Sequence, residues 1–415
     1  MSMFAEFLRR CVGVVLLAGM LVAPASAQNA TDAPETETPA TASNTDAGPT
    51  DRIAFVVGVG AYAQKPIAHA LNDAGLVAEA LRSIGFEVVE AADPNQADFL
   101  RSYREFLDKV TEAGPEAVAF VYFSGYGFAF EGDNYLALSD AKIERVSDIS
   151  LGTVRLSDLV RPLAATPARA KLMALDAARP LPFTIPDRPL PKGLAVPVPE
   201  AGMLIGYSSA PGTVAEDGSG DYGPYATAIA EMVRTPGLDL NSLFTQIRVR
   251  THQATEGKQT PFHVTALKDT APLVEKEDDK PSDDSATPPQ QAVAEDDAKP
   301  LKEVGPEKAY ARTIRQDTLE GYDEYAEAYP DSPYVARIRA LARARREALL
   351  WIRALEENTP EAYWTYLQRY PDGMYAADAE YRLRRLQARE EPPQDFTPVE
   401  FADVPLPPPW EPEEI

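Results

Sequence analysis

Two apolar runs of this 415-residue chain end in residues placed where chemistry would happen. One, Phe120-Val-Tyr-Phe-Ser-Gly-Tyr-Gly127, enters a turn bracketed by glycines; the other, Leu172-Met-Ala-Leu-Asp-Ala-Ala-Arg179, ends in an acidic turn. Active sites of open α/β sheets gather at the carboxyl ends of strands, and Tyr126 and Ala178, 52 positions apart, both fall there. Covalent catalysis there needs a nucleophile and a base that activates it. Ala178 has no nucleophilic atom. An unperturbed tyrosine hydroxyl titrates at about pH 10, which makes Tyr126 a poor general base near neutrality. Ser124 stands two residues before Tyr126 and is expected to point away from it. The three histidines, His69, His252 and His263, precede the first helix, end a helix and begin the last extended segment, none beside a Ser or Cys nucleophile. Their spacing to acidic residues shows no metal-ligand pattern, so neither a metal nor a cofactor is expected.

Residues 52–270 contain the elements that must hold those two ends. The run 53–58 is continuously apolar, as in a strand buried within a parallel sheet. Asn72 and Asp73 open a helical pattern in which Leu76, Ala80, Leu81 and Ile84 recur at helical spacing before Gly85. Strands follow at 86–89 and 117–123, with a helix over 96–110 between them. A hairpin through Gly132-Asp133 leads into an extended segment at 134–138. Next come a helix over 156–163, strands at 171–175 and 203–207, and helices at about 224–234 and 240–254. This alternation predicts an α/β domain with a mostly parallel sheet covered on both faces.

Composition separates that region from its flanks. Arg9 and Arg10 precede an apolar run over 12–22 and then Ala25-Ser26-Ala27, the pattern of a secretory signal peptide and too short for a membrane span. Residues 1–27 are expected to be removed, leaving the mature protein periplasmic or secreted. The only cysteine, Cys11, leaves with them, so the mature chain has neither a thiol nucleophile nor a disulfide. Of the net charge of −24, residues 28–51, 274–307 and 391–415 together supply 19. These stretches are rich in Pro, Thr, Ala or Gln and cannot bury enough apolar surface to fold alone. Thus 28–51 reads as a disordered linker, 271–307 as an acidic Pro-rich disordered linker, and 389–415 as a Pro-rich acidic tail. An acidic chain with no basic face is not a nucleic-acid binder.

Taken in order, these segments resemble the caspase-like cysteine peptidases, the bacterial metacaspase and orthocaspase branch in particular. The likeness covers roughly half the chain. Val56-Val-Gly-Val-Gly-Ala-Tyr62 looks like the family's opening strand and turn, and Leu71-Asn-Asp-Ala74 through Gly85-Phe-Glu-Val88 like its first helix and second strand. Asn134-Tyr-Leu136 with Asp140-Ala141 matches the segment after the histidine strand. Ile205-Gly-Tyr-Ser-Ser-Ala-Pro-Gly212 with Glu216-Asp-Gly218 matches the small-subunit strand and loop. The family usually reads Ser-Gly-His-Gly or Ala-Gly-His-Gly where this chain has Ser124-Gly-Tyr-Gly127, and Leu-Asp-Ala-Cys-Arg where it has Leu175-Asp-Ala-Ala-Arg179. The resemblance therefore implies a caspase-like fold in which Tyr126 stands for the base and Ala178 for the nucleophile. Their spacing agrees with the roughly 50 residues expected between His and Cys. It also implies that Asp176 helps form an acidic pocket for an Arg or Lys side chain, with Asp217 and the backbone at Ser208 and Ser209 as further walls. The competing reading is that Asp176 only caps a turn and Asp217 is a solvated loop acid. Residues 180–199, where active relatives are often cut, read as an exposed extended loop.

The third region repeats itself. Thr318-Leu-Glu-Gly-Tyr-Asp-Glu-Tyr-Ala-Glu-Ala-Tyr-Pro-Asp331 realigns, with a shift of 41, on Thr359-Pro-Glu-Ala-Tyr-Trp-Thr-Tyr-Leu-Gln-Arg-Tyr-Pro-Asp372. Tyr-Pro-Asp stops each first helix, and a second helix follows. The two units over 308–388 resemble tetratricopeptide-like helical hairpins. Their tyrosine stripe reads either as packing between hairpins or as an aromatic binding surface. The expected function is that of an exported pseudopeptidase with no intact Cys-His dyad, a binding or scaffold protein. Protein or peptide partners would engage chiefly the repeats, through aromatic contacts, or else the relic cleft. The alternatives are a working cysteine-type endopeptidase, and a pairing partner or regulator of an active relative through a sheet edge.

Overall fold

A computed structural model describes residues 51–186, 188, 190–215, 220–268, 271–276, 299–408 and 410. The signal segment 1–27, residues 28–50 of the first linker, Asp217, and residues 277–298 of the acidic linker lie outside the described residues. The chain runs β1 (Arg52–Gly58), α1 (Ala70–Ser83), β2 (Glu87–Ala92), α2 (Gln96–Ala113), β3 (Val118–Ser124), β4 (Tyr126–Phe130) and β5 (Asp133–Ala137). It continues through α3 (Val146–Gly152), β6 (Thr153–Arg155), α4 (Leu156–Ala164), β7 (Ala170–Asp176), β8 (Met203–Tyr207), α5 (Pro224–Met232), α6 (Leu240–Ala254) and β9 (Phe262–Thr265).

The large sheet has the order β2-β1-β3-β7-β8-β9, parallel except for β9. The apolar runs form its centre, because a strand covered on both faces has no side that tolerates polar residues. Successive side chains leave on opposite faces. Phe55, Val57, Phe123, Met173 and Ile205 share one core with Phe99, Tyr103 and Phe106 of α2. Ala54, Val56, Phe120, Leu172 and Leu204 share the other with Val77 of α1, Ile229 of α5 and Ile247 of α6. The mostly parallel α/β sheet flanked by helices is as expected. A second, antiparallel sheet of order β4-β5-β6 was not foreseen. Its hairpin turns at Glu131-Gly132, one residue earlier than read from sequence, with φ of 52° and 82°. Two positive φ values in succession match the strand twist, which is why such turns close hairpins.

Beyond a 3-10 turn at Leu301–Glu303 the chain is helical: α7 (Pro306–Gln316), α8 (Leu319–Ala328), α9 (Val335–Glu357), α10 (Pro360–Arg369) and α11 (Ala376–Arg385). The 41-residue shift recurs in the contacts. Tyr310 stacks on Tyr334 at 4.4 Å as Trp351 stacks on Tyr375 at 5.0 Å. Tyr310 meets Tyr325 edge-on at 6.1 Å as Trp351 meets Tyr366 at 5.2 Å. The Tyr322 hydroxyl donates to Asp317 (2.5 Å) and that of Tyr363 to Asn358 (2.7 Å). Asp317 and Asn358, in the left-handed region at φ 51° and 50°, end α7 and α9. Thr318 and Thr359 then cap the next helices by accepting the backbone N–H of Gly321 and Ala362. Thr318→Ala should lower stability by about 1 kcal/mol; an unchanged urea midpoint would show that the cap holds nothing.

Burial corrects the aromatic-surface expectation. Tyr322, Tyr325, Tyr363, Tyr366 and Tyr375 are no more than 1% exposed, so these rings lie between helices rather than facing a partner. The helices also seat on the α/β unit. Arg248 of α6 donates to the carbonyls of Ile314 (3.4 Å) and Arg315 (3.1 Å) and pairs with Asp317 at 3.2 Å. At the β4–β5 turn, Asp378 accepts from the Gly132 N–H (3.1 Å) and Arg382 donates to the Glu131 carbonyl (2.8 Å). The flanking segments are shorter than composition suggested. Leu273 and Leu301, at the two ends of the acidic linker, are buried in the cores of the α/β unit and the helices. The tail likewise lies along the helices, with Val404 buried and Phe396 edge-on to Trp364 at 5.6 Å. No helix among the described residues is long and apolar enough to cross a membrane.

Candidate functional site

Parallel pairing of β3 with β7 sets Ser124 opposite Asp176. Past the strand ends the two chains stay joined, the Gly125 N–H donating to the Asp176 carbonyl (3.2 Å) and the Gly127 N–H to that of Ala177 (2.8 Å). Glycine is required by close approach: a Cβ at 125 would lie 2.6 Å from the Tyr62 hydroxyl, and one at 127 would lie 2.9 Å from the Ala177 methyl. Tyr126 and Ala178 thereby reach the same core cluster at one end of the sheet.

Tyr126 is fixed as a structural ring. Its N–H donates to the Tyr62 hydroxyl (3.0 Å), and its own hydroxyl donates to the Lys65 carbonyl (3.2 Å). The ring meets Tyr62 at 4.7 Å and Phe183 at 5.9 Å, both edge-on. Tyr62 in turn donates to the Ala137 carbonyl (2.8 Å), and burial pushes its hydroxyl well above the ordinary tyrosine range, so it stays protonated. Tyr126 and Ala178 are each 2% exposed. The Ala215 N–H donates to the Ala178 carbonyl (2.7 Å), lashing the segment after β8 across this end. The 180–199 segment is not the exposed loop expected of it. Phe183, Ile185 and Leu194 are buried in the same core because their apolar side chains outweigh the extended-chain tendency of the prolines between them.

The acidic residues are also closed off. Asp176, only 4% exposed, faces Arg179 (Nη2 to Oδ2, 3.4 Å) and the Tyr122 hydroxyl (3.4 Å). Arg179 bonds the Asp176 carbonyl, the Gly125 carbonyl (2.9 Å) and the Ser124 hydroxyl (3.3 Å). Ser124 therefore points to the Arg179 side, away from the Tyr126 ring. Asp73 of α1 lies 3.8 Å from the same guanidinium and accepts the Gly223 N–H at 2.6 Å. Burial first, and the neighbouring Asp176 charge second, raise the Asp73 carboxyl above its usual range. So the pocket expected to receive a basic side chain from outside holds the chain's own Arg179. Ser208 and Ser209 are buried, and the Ser208 carbonyl accepts from Gln259 (2.8 Å); Asp217 lies outside the described residues. Asp73 was read from sequence only as a helix opener. Arg179 stood in the quoted motif, but nothing local signalled that it would fold back.

His252 and His263 lie where the helices meet the α/β unit. His252 bonds Thr260 (2.8 Å) and Tyr310 (2.8 Å), and His263 bonds Arg248 (3.0 Å). Among the described residues no group of three His, Cys, Asp or Glu is placed to hold a metal ion. Compared with known protein families, residues 51–271 match the model described as the caspase domain. No curated protein matches the chain.

Proposed function

The chain belongs to the caspase-domain family, and we propose that it is an exported, non-catalytic member that works by binding other proteins. The observation that carries this reading is the pair of strand ends itself. Peptide cleavage of this type needs a thiolate to attack the scissile carbonyl and an imidazole to take and return the proton. A methyl group stands at one position and a buried phenol, held to the Lys65 carbonyl, at the other. A substrate would also meet a closed surface, with Phe183 against Tyr126 and Arg179 already between the two carboxyl groups. Export rests on Arg9, Arg10, the apolar run 12–22 and Ala25-Ser26-Ala27.

The purified mature protein should leave Arg- and Lys-containing peptides uncut, with or without calcium. Cleavage above background that disappears on mutating a single residue would reveal a nucleophile outside this account and sink the reading.

A further inference from the structure

The tail supplies a binding surface with its occupant in place. Residues 396–408 and 410 run along α9 and α10 with no helix or strand of their own. Phe396 meets Trp364, and the Val399 N–H donates to Thr365 Oγ1 at 2.9 Å. Asp403 takes the Nε of Arg353 at 2.8 Å. The Trp410 ring lies 5.6 Å from the Arg339 guanidinium and 5.7 Å from that of Arg346. The charges complement one another where they meet: Arg353 of α9 binds Asp403, and 391–415 carries seven acidic residues and no basic one, while Arg337, Arg345 and Arg346 of the same helix are taken up by Tyr310, Asp317 and Asp323. Yet the seat is loose. Of the described tail residues only Val404 is buried, Leu406 is 68% exposed, and a space of about 400 Å³ lies between Arg369 and residues 399–402 and 404–406. The Arg339 Nε and the Trp410 Nε1 are buried donors with no acceptor among the described residues.

We propose that the tail is an intramolecular stand-in for a partner: the α9–α10 face binds an extended acidic segment with an aromatic residue from another protein, and the tail holds that face until displaced. Proline-rich chain suits the role, since it is already extended and loses little entropy on docking. The exposed ion pair and cation–π contacts are individually weak, so a segment with better-placed carboxylates replaces it. This deepens the binding reading above by naming where binding occurs, and its test does not depend on whether peptides are cut.

The test is fluorescence anisotropy with a labelled peptide of residues 394–410 and the full mature chain. The unaltered protein should bind at least tenfold more weakly than a variant whose tail is loosened by Asp403→Ala, Val404→Asp and Trp410→Ala. Adding Arg339→Glu and Arg353→Glu to that variant should abolish binding, and salt should weaken it. Equal binding by the unaltered and loosened chains would overturn occupation in cis. No binding by a loosened chain that keeps its native melting transition would overturn the docking surface. Concentration-dependent dimers of the unaltered chain, lost with Trp410→Ala, would make a second copy's tail the occupant and overturn the assignment to a foreign partner. Peptidase activity would end the non-catalytic reading and leave these outcomes as they stand.

Discussion

Arg179→Met should destabilise the fold by about 3–5 kcal/mol, the usual cost of removing one partner from a buried ion pair. Methionine keeps much of the apolar stem and deletes only the guanidinium. What remains is two buried carboxyl groups, Asp73 and Asp176, with no cation between them. Asp73 is already raised by burial and by Asp176, with Arg179 opposing the rise. Without Arg179, Asp73 holds its proton still more tightly in the folded state than in the unfolded one. Stability is then kept at low pH and lost as pH rises through the folded-state values. The deficit against the unaltered protein should be largest at pH 8, smaller at pH 5, and reduced by Asp176→Asn in the same chain. Urea unfolding at the two pH values measures it. A loss under about 1 kcal/mol, independent of pH, is what surface pairs give, and it would mean that this pocket is wet and open.

The second large effect is acid lability at the seam between the helices and the α/β unit. His252 is bonded through Nδ1 to the Thr260 hydroxyl and through Nε2 to the Tyr310 hydroxyl, which also accepts from Arg337 (3.0 Å). Burial and the Arg337 charge lower the His252 pKa to about 4. The unfolded chain takes up this proton at about pH 6.5 and the folded one only near 4, so unfolding absorbs a proton between those values. Stability from this group is therefore full above pH 6.5 and falls by about 3 kcal/mol as pH drops to 4. The raised Asp73 works in the opposite sense throughout that range, so the contrast must be drawn between otherwise identical chains. His252→Gln should lose less stability between pH 7 and pH 4 than the unaltered protein, and the difference should approach that figure. Parallel pH profiles for the two chains would exclude His252 as the group that titrates.

The closed strand ends and the occupied α9–α10 face change where a partner is to be sought. Sequence directed attention to tyrosines spaced at helical intervals and to an acid two residues before the nucleophile position. Both sets are taken up inside the molecule: the tyrosine rings pack between helices, with Tyr322 and Tyr363 bonded to Asp317 and Asn358, and Asp176 faces Arg179 and Tyr122. The arginines of α9 attract less notice in sequence, because charged residues at helical spacing are ordinary on solvated helices.

The sequence alone determined what depends on residue type and local period. A methyl side chain at 178 has no nucleophilic atom in any fold, and the chain's one cysteine lies at position 11. Apolar runs of strand length at 53–58, 117–123, 171–175 and 203–207 were legible because burial on both faces leaves no polar alternation. The 41-residue register was legible because caps, tyrosines and Tyr-Pro-Asp stops recur together. Tertiary structure decided the rest. That Asp73 meets Asp176 and Arg179 depends on β3, β7 and α1 converging, and no short-range pattern encodes that meeting. Whether 180–199 covered the strand ends or stood in solvent depended on Phe183, Ile185 and Leu194 finding apolar neighbours far away in the chain. The tail is too acidic and proline-rich to fold by itself, and its described residues lie against Arg353, Trp364 and Thr365 with Val404 in the helical core. Local sequence sets which groups need partners; only the packed chain determines which partners satisfy them.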